Sequence, residues 1–98
     1  MVEKIVWTKK AQREFDAIIT YFERDASEKA AENFYLSIKN KLDRLEKYPE
    51  SGRIVEEKQQ RRVVNLDKYR QMFYRIQGKS LFITDFFDMR QDPKKRPY

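Results

Sequence analysis

The sequence predicts an α+β fold: a short strand, a helical hairpin, then a largely antiparallel sheet carrying the hairpin on one face. Three observations lead there. In the first half apolar residues recur every three or four positions, the period of a helix with one buried stripe. In the second half they alternate at a period of two, as strands do. Turn chemistry separates the two regimes at "YPESGR", and a second turn falls at Gly78-Lys79.

The elements follow in order. "EKIVW" alternates Glu3, Ile5 and Trp7 against Lys4 and Val6 and reads as a short strand. Thr8 suits an N-cap, because its hydroxyl can take an orphan amide of the next helix. In that helix Ala11, Phe15, Ile18, Ile19 and Phe22 form one stripe, with Lys9, Lys10, Arg13, Asp16 and Glu23 mostly off it. "RDAS" breaks the pattern. Asp25 or Ser27 can cap a second helix, and Asp25 with Glu28 has capping-box spacing. Its stripe is Ala31, Phe34, Ile38, Leu42 and Leu45. Pro49 disfavours helical geometry at Tyr48, and Gly52 permits the turn that follows. So short a link between two amphipathic helices makes them an antiparallel pair.

"RRVVNL" is a β-branched strand. In "YRQMFYRIQ", Arg70, Met72, Tyr74 and Ile76 face one way and Gln71, Phe73, Arg75 and Gln77 the other. Gly78 in first place of a two-residue loop suits a type II′ hairpin. In "SLFITDFFD" strict alternation sets Leu81, Ile83, Asp85 and Phe87 against Phe82, Thr84, Phe86 and Asp88. Both faces are apolar, which argues for a central strand. Pro93 ends pairing. The order is β-α-α-β-β-β in one domain over residues 1–98, with residues 91–98 a basic tail expected to be mobile when free.

The chain has no cysteine and no histidine. That excludes a disulfide framework and thiolate zinc sites, and removes the commonest general base. Chemistry must run on Arg, Lys, Asp, Glu and Tyr. With no metal cluster, Gly-rich phosphate loop or nucleophile triad, neither metal nor cofactor is expected. No apolar run approaches the roughly 20 residues that span a bilayer, and no signal-peptide core is present, so no membrane association and a cytoplasmic location are expected. The net charge of +6 is segregated: residues 1–52 hold ten Lys/Arg and ten Asp/Glu, whereas residues 53–98 hold twelve and six. Such a field attracts an anionic partner, whether nucleic acid or acidic peptide.

Taken together, "VWTKKAQREFDAI", "AAENFYLSIKNKLDRLEKYPESGR", "RRVVNL", "YRQMFYRI" and "FFDMRQDPKK" resemble the RelE/ParE superfamily of toxins from bacterial type II toxin–antitoxin, or plasmid stabilisation, modules. The most specific pieces are Leu45, Pro49, Gly52 and Arg53, the tyrosine-rich hairpin strand, and the exit Arg90, Asp92 and Pro93. The resemblance implies a basic toxin neutralised by a co-expressed acidic antitoxin peptide. It further implies an apolar helical groove left open for that peptide, and so a free protein that is poorly soluble or homo-oligomeric. RelE-like members cleave messenger RNA on the ribosome, while ParE-like members are linked to inhibition of DNA gyrase.

Cleavage of RNA by its own 2′-hydroxyl needs a base, cations for the charge on phosphorus, and an acid for the leaving oxygen. The resemblance offers Arg62, Arg90 and Tyr98 for this work, with Asp88 as a possible base. The set departs from the RelE pattern: the position three residues before Tyr74 holds Gln71, with Arg70 one step off. Where ParE-like chains commonly carry a histidine, this one has Asp88. The incomplete set favours a ParE-like toxin, with a ribosome-dependent endonuclease and a non-toxic binding module as alternatives. Arg61, Arg70, Arg75, Lys94, Lys95 and Arg96 are the cations available to hold a nucleic acid or another target. Each residue also has a plainer reading. Asp88 can pair with Arg90, Arg61 and Arg62 can protect a strand edge, and Phe73 and Tyr74 can be core.

Overall fold

The computed structural model describes residues 2–98. Strand β1 (Lys4–Trp7) leads into helices α1 (Lys9–Asp25) and α2 (Glu28–Lys47). A 3₁₀ turn (Pro49–Ser51) is followed by β2 (Arg53–Glu56), β3 (Arg61–Asn65), β4 (Arg70–Gln77) and β5 (Ser80–Asp88), then a second 3₁₀ turn (Pro93–Lys95). The sheet order is β1-β5-β4-β3-β2. β1 runs parallel to β5 and every other neighbouring pair is antiparallel. The expected α+β architecture is therefore present, with one strand more than expected. The extra strand is β2, whose four residues Arg-Ile-Val-Glu are too few to show a period.

The caps form as their side chains dictate. The Thr8 hydroxyl accepts from the Ala11 amide at 3.2 Å, and Ser27 accepts from Ala30 at 3.0 Å. Asp25, the other candidate cap, is the last residue of α1. Gly78 has φ +60° and Lys79 does not share the left-handed region, as a II′ hairpin requires.

The main core lies between the hairpin and one face of the sheet. Ala11, Phe34, Ile38 and Leu45 from the helices meet Met72, Tyr74, Leu81, Ile83 and Phe86 from β4 and β5. The other face carries a smaller cluster, Val63, Phe73 and Phe87, with Val55 against it. Strict alternation in β5 put Phe87 with Leu81 and Ile83. The structure exchanges it for Phe86, because the β4–β5 register shifts between Phe73 and Tyr74. Phe73 pairs with Asp85 and Tyr74 with Ile83, which leaves Thr84 as an extra residue in β5. A bulge of this kind inverts the side-chain parity beyond it. Asp85 and Phe87 thus face away from the helices, while Phe86 joins the core.

Tyr74 shows how the turn after α2 is anchored. Its buried hydroxyl donates to the Pro49 carbonyl at 2.6 Å and accepts from the Gly52 amide at 3.0 Å. Burial pushes this phenol above its ordinary pKa, against the Gly52 hydrogen bond. A Cβ on Gly52 would lie 2.5 Å from the same oxygen. Glycine is needed there for close approach. Gly52→Ala is expected to lower unfolding free energy by about 2 kcal/mol, the scale of a small overpacking in a tight core. Urea melts of the two proteins check this, and equal midpoints would refute the role given to that contact.

Candidate functional site

Three groups of polar residues concern function, and each grows from a different part of the sheet. The first sits where β4 begins and β5 ends. Arg70 and Asp88 are cross-strand partners, so their side chains share a face. The Arg70 guanidinium is buried over Phe22 at 4.7 Å and reaches Asp67 at 3.5 Å and Asp88 at 3.9 Å. Arg90, on the turn after β5, binds Asp88 through both its Nε (3.0 Å) and a terminal nitrogen (2.7 Å), and stacks over Tyr69 at 4.3 Å. A cavity of about 460 Å³ beside them is lined by Ala17, Ile18, Tyr21, Arg70, Asp88 and Arg90. The hydrogen bonds and charge of Arg90, with Arg70 beyond, hold the Asp88 carboxyl below its ordinary pKa of 3.8 despite partial burial. A carboxylate so clamped is a weak proton acceptor.

The second group lies on the face without helices. There the C-terminal tail turns back over the sheet. The Tyr98 ring packs 5.5 Å from Phe73, and the Arg61 guanidinium stacks 4.5 Å over Tyr98 and donates to its hydroxyl. Arg61 also pairs with Glu56 at 3.3 Å. Arg96 lies 5.7 Å over Phe73 and donates to the Tyr98 carbonyl at 3.1 Å. Without a helix on this side, the tail is what covers Phe73. Burial, then the nearby charge of Asp85, pushes the Tyr98 phenol above its ordinary pKa, so it holds its proton more tightly.

Asp85 itself was not among the expected site residues. It is 3% exposed, binds Lys10 through one oxygen, and its other oxygen accepts no hydrogen bond. The Lys10 ammonium loses by burial, but the hydrogen bond and charge of Asp85 outweigh this and raise its pKa. The sequence did carry a signal: an acid inside "LFITDFF" must be paired if it is buried.

Arg62 forms the third group. It donates to the Glu50 and Gly52 carbonyls at 2.9 and 2.8 Å and so braces the turn after α2. Neither Arg61 nor Arg62 guards a sheet edge, since β2 pairs outside β3. Phe73 and Tyr74 are both fully buried core residues. Arg75 stacks over Phe82 at 4.6 Å and donates to Gln77. Lys94 and Lys95 are exposed in the second 3₁₀ turn. Of the four residues offered for RNA cleavage, the fold joins Asp88 to Arg90. No hydrogen bond or ion pair among the described residues links that pair to Arg62 or Tyr98.

This is a small sheet-and-hairpin domain whose arginines cluster near the ends of β3, β4 and β5. A family model for the ParE toxin of the type II toxin–antitoxin system, parDE, matches residues 5–93. The chain belongs to this ParE toxin family, the toxin component of a type II module. Among solved structures it is similar to a chromosomal ParDE toxin–antitoxin system from P. aeruginosa, with TM-score 0.72 and 21% identity over 89% of this chain and 96% of that one. It is also similar to a YoeB/ParE toxin from Agrobacterium tumefaciens, with TM-score 0.62 and 14% identity over 83% of this chain and 92% of that one. No curated protein sequence matches the chain.

The Asp88 cluster makes a pH-resolved prediction. Its depressed pKa means that its contribution to stability is present above the unfolded value and lost as pH falls through the folded one. Asp88→Asn should therefore cost about 1 kcal/mol at pH 7, the upper end of the scale for an ion pair open to solvent. The cost should fade as pH falls through the depressed folded pKa, where the parent carboxyl takes up its proton too. Thermal melts of both proteins across pH 2–7 test this, and a pH-independent difference would refute it.

Proposed function

We propose that this chain arrests growth as a ParE-like toxin that binds DNA gyrase, and that an acidic antitoxin peptide neutralises it. The observation supporting a binding toxin over a nuclease is the commitment of the nominated catalytic residues. Arg62 is spent on turn carbonyls, Arg90 on Asp88, and Tyr98 on Arg61 and Phe73. Among the described residues, no hydrogen bond or ion pair joins these four nominated residues into one site. On this reading Lys94, Lys95, Arg96, Arg61 and Arg75 serve recognition, whereas Arg70, buried and paired with Asp67 and Asp88, does not. Among the described residues no helix is long and apolar enough to cross a membrane.

The alternative is a ribosome-dependent endonuclease using Arg62, Arg90 and Tyr98 with Asp88 as base. One observation favours it: Tyr98 and Arg61 sit together on the helix-free face, as an acid beside a phosphate-binding cation would. Induced expression in a bacterial host separates the readings, with transcript ends mapped and plasmid supercoiling read from the same cultures. The gyrase reading expects lost supercoiling or broken DNA with intact messages. New cleavage sites within translated regions, abolished by Arg90→Ala and by deletion of Tyr98, would replace it with the nuclease. Absence of growth arrest would leave a basic binding module.

The antitoxin would dock on the hairpin. Tyr35 and Leu36 of α2 and Tyr21 of α1 are 53, 43 and 44% exposed, and a groove of about 290 Å³ lined by Phe22, Ala30, Asn33, Phe34, Ser37 and Asp67 lies open. Exposed apolar surface on a basic domain suits an amphipathic peptide that folds on binding. The purified free protein is expected to self-associate at micromolar concentration, and Tyr35→Ser with Leu36→Ser to reduce this. Sedimentation that finds the parent monomeric, with no binding of a hydrophobic dye, would refute the open groove.

A further inference from the structure

We propose that the groove between α2 and the β2–β3 edge of the sheet is a phosphate site for the backbone of a nucleic acid. It encloses about 440 Å³ and is lined by Lys41, Arg44, Ser51, Arg53, Val63 and Asn65, with Val64 beside them. Lys41 and Arg44 are three residues apart on α2 and so share a helix face. Arg53 is brought opposite them by β2, where it pairs with Val63 of β3.

The groove differs from the arginine groups described above in one respect. Arg61 has Glu56, Arg70 has Asp67 and Asp88, Arg90 has Asp88, and Lys10 has Asp85 and Glu14. Lys41, Arg44 and Arg53 have no ion pair or side-chain hydrogen bond among the described residues, and no acid lines the groove. Three like charges converging on one concavity repel one another until an anion enters. Two planar guanidinium forks and an ammonium match a phosphodiester, which Arg binds through two donors at once. Ser51 and Asn65 add neutral polar groups, as at other phosphate contacts.

An acidic peptide is the other possible occupant, and the lining argues against it. Such peptides are held by apolar anchors seated in apolar pockets, whereas this groove offers mainly polar surface over two valines. The apolar groove on the hairpin suits a peptide better. The site does not depend on whether the toxin's target is gyrase or a message, since both hold nucleic acid.

The test measures binding of the full chain to a fluorescein-labelled 20-base-pair DNA duplex, and to an RNA strand of the same length, between 50 and 200 mM salt. Arg44→Gln with Arg53→Gln removes two proposed phosphate contacts. It should weaken binding to at least one probe roughly tenfold at low salt and reduce the slope of log K against log salt by about 2. A control pair on exposed α2 positions outside the groove, Lys29→Gln with Lys39→Gln, makes the same change in net charge and should leave the slope unchanged. Circular dichroism melts confirm that both variants are folded. Equal losses in the two variants would reduce the effect to net charge and overturn the site. So would an unchanged slope in the groove variant, or a loss of polyglutamate binding with nucleic-acid binding intact. The probe that loses more affinity identifies whether DNA or RNA is the source of the phosphate.

Discussion

One hydroxyl ties the two layers of this protein together. The Thr8 Oγ1 accepts the Ala11 amide at the start of α1, and it donates to the Ile83 carbonyl at 2.9 Å with the Thr84 carbonyl at 3.4 Å. Ile83 and Thr84 are the residues around which β5 bulges. The same threonine therefore ends β1, begins the first helix and serves the carbonyls that the bulge leaves irregular. Where β1 stops, the β5 edge would be left open, and Glu14 from α1 accepts its Phe86 amide at 3.0 Å. Helix and sheet are joined by hydrogen bonds at the place where the β4–β5 ladder is broken. The apolar stripes then need only close upon each other.

The bulge decides more than local geometry. By inverting parity beyond Thr84 it sends Phe86 to the helices and Phe87 and Asp85 to the opposite face. That face then carries Phe73, Phe87 and Val63 with no helix to cover them. A strand apolar on both sides would be a liability for aggregation. The tail answers it: Tyr98 and Arg96 lie on Phe73, and Arg61 lies on Tyr98. A basic, aromatic end to a core strand thus has a structural reason before it has a functional one.

The elements whose period is long were legible in the sequence. The two helical stripes, the Thr8 cap and the Gly78 hairpin are each set by contacts within a few residues. Three things were not legible, and each depends on partners distant in sequence. Strand β2 exists because β3 lies beside it. The bulge exists because β4 and Thr8 fix where β5 must yield, and no residue type announces it. The resting place of Tyr98 depends on Phe73, which alternation alone could place only on a face. Among site residues the Asp88–Arg90 pair was readable, being two positions apart. The Lys10–Asp85 pair, 75 positions apart, was not. Arg62 looked like a free strand cation because the carbonyls it braces belong to a turn ten residues upstream.

Charge counted along the chain also hid the distribution that matters. The balance of residues 1–52 suggests a neutral half, yet α2 turns Lys41 and Arg44 into a groove that contains no acid. The basic half, by contrast, supplies several of its arginines with carboxylates or carbonyls of its own. An arginine already held by a carboxylate must give up that bond to bind a phosphate, so its net gain is small. A cation facing only water and its own kind has no such bond to lose. For binding a phosphate, the number of arginines matters less than which of them the fold has left unoccupied.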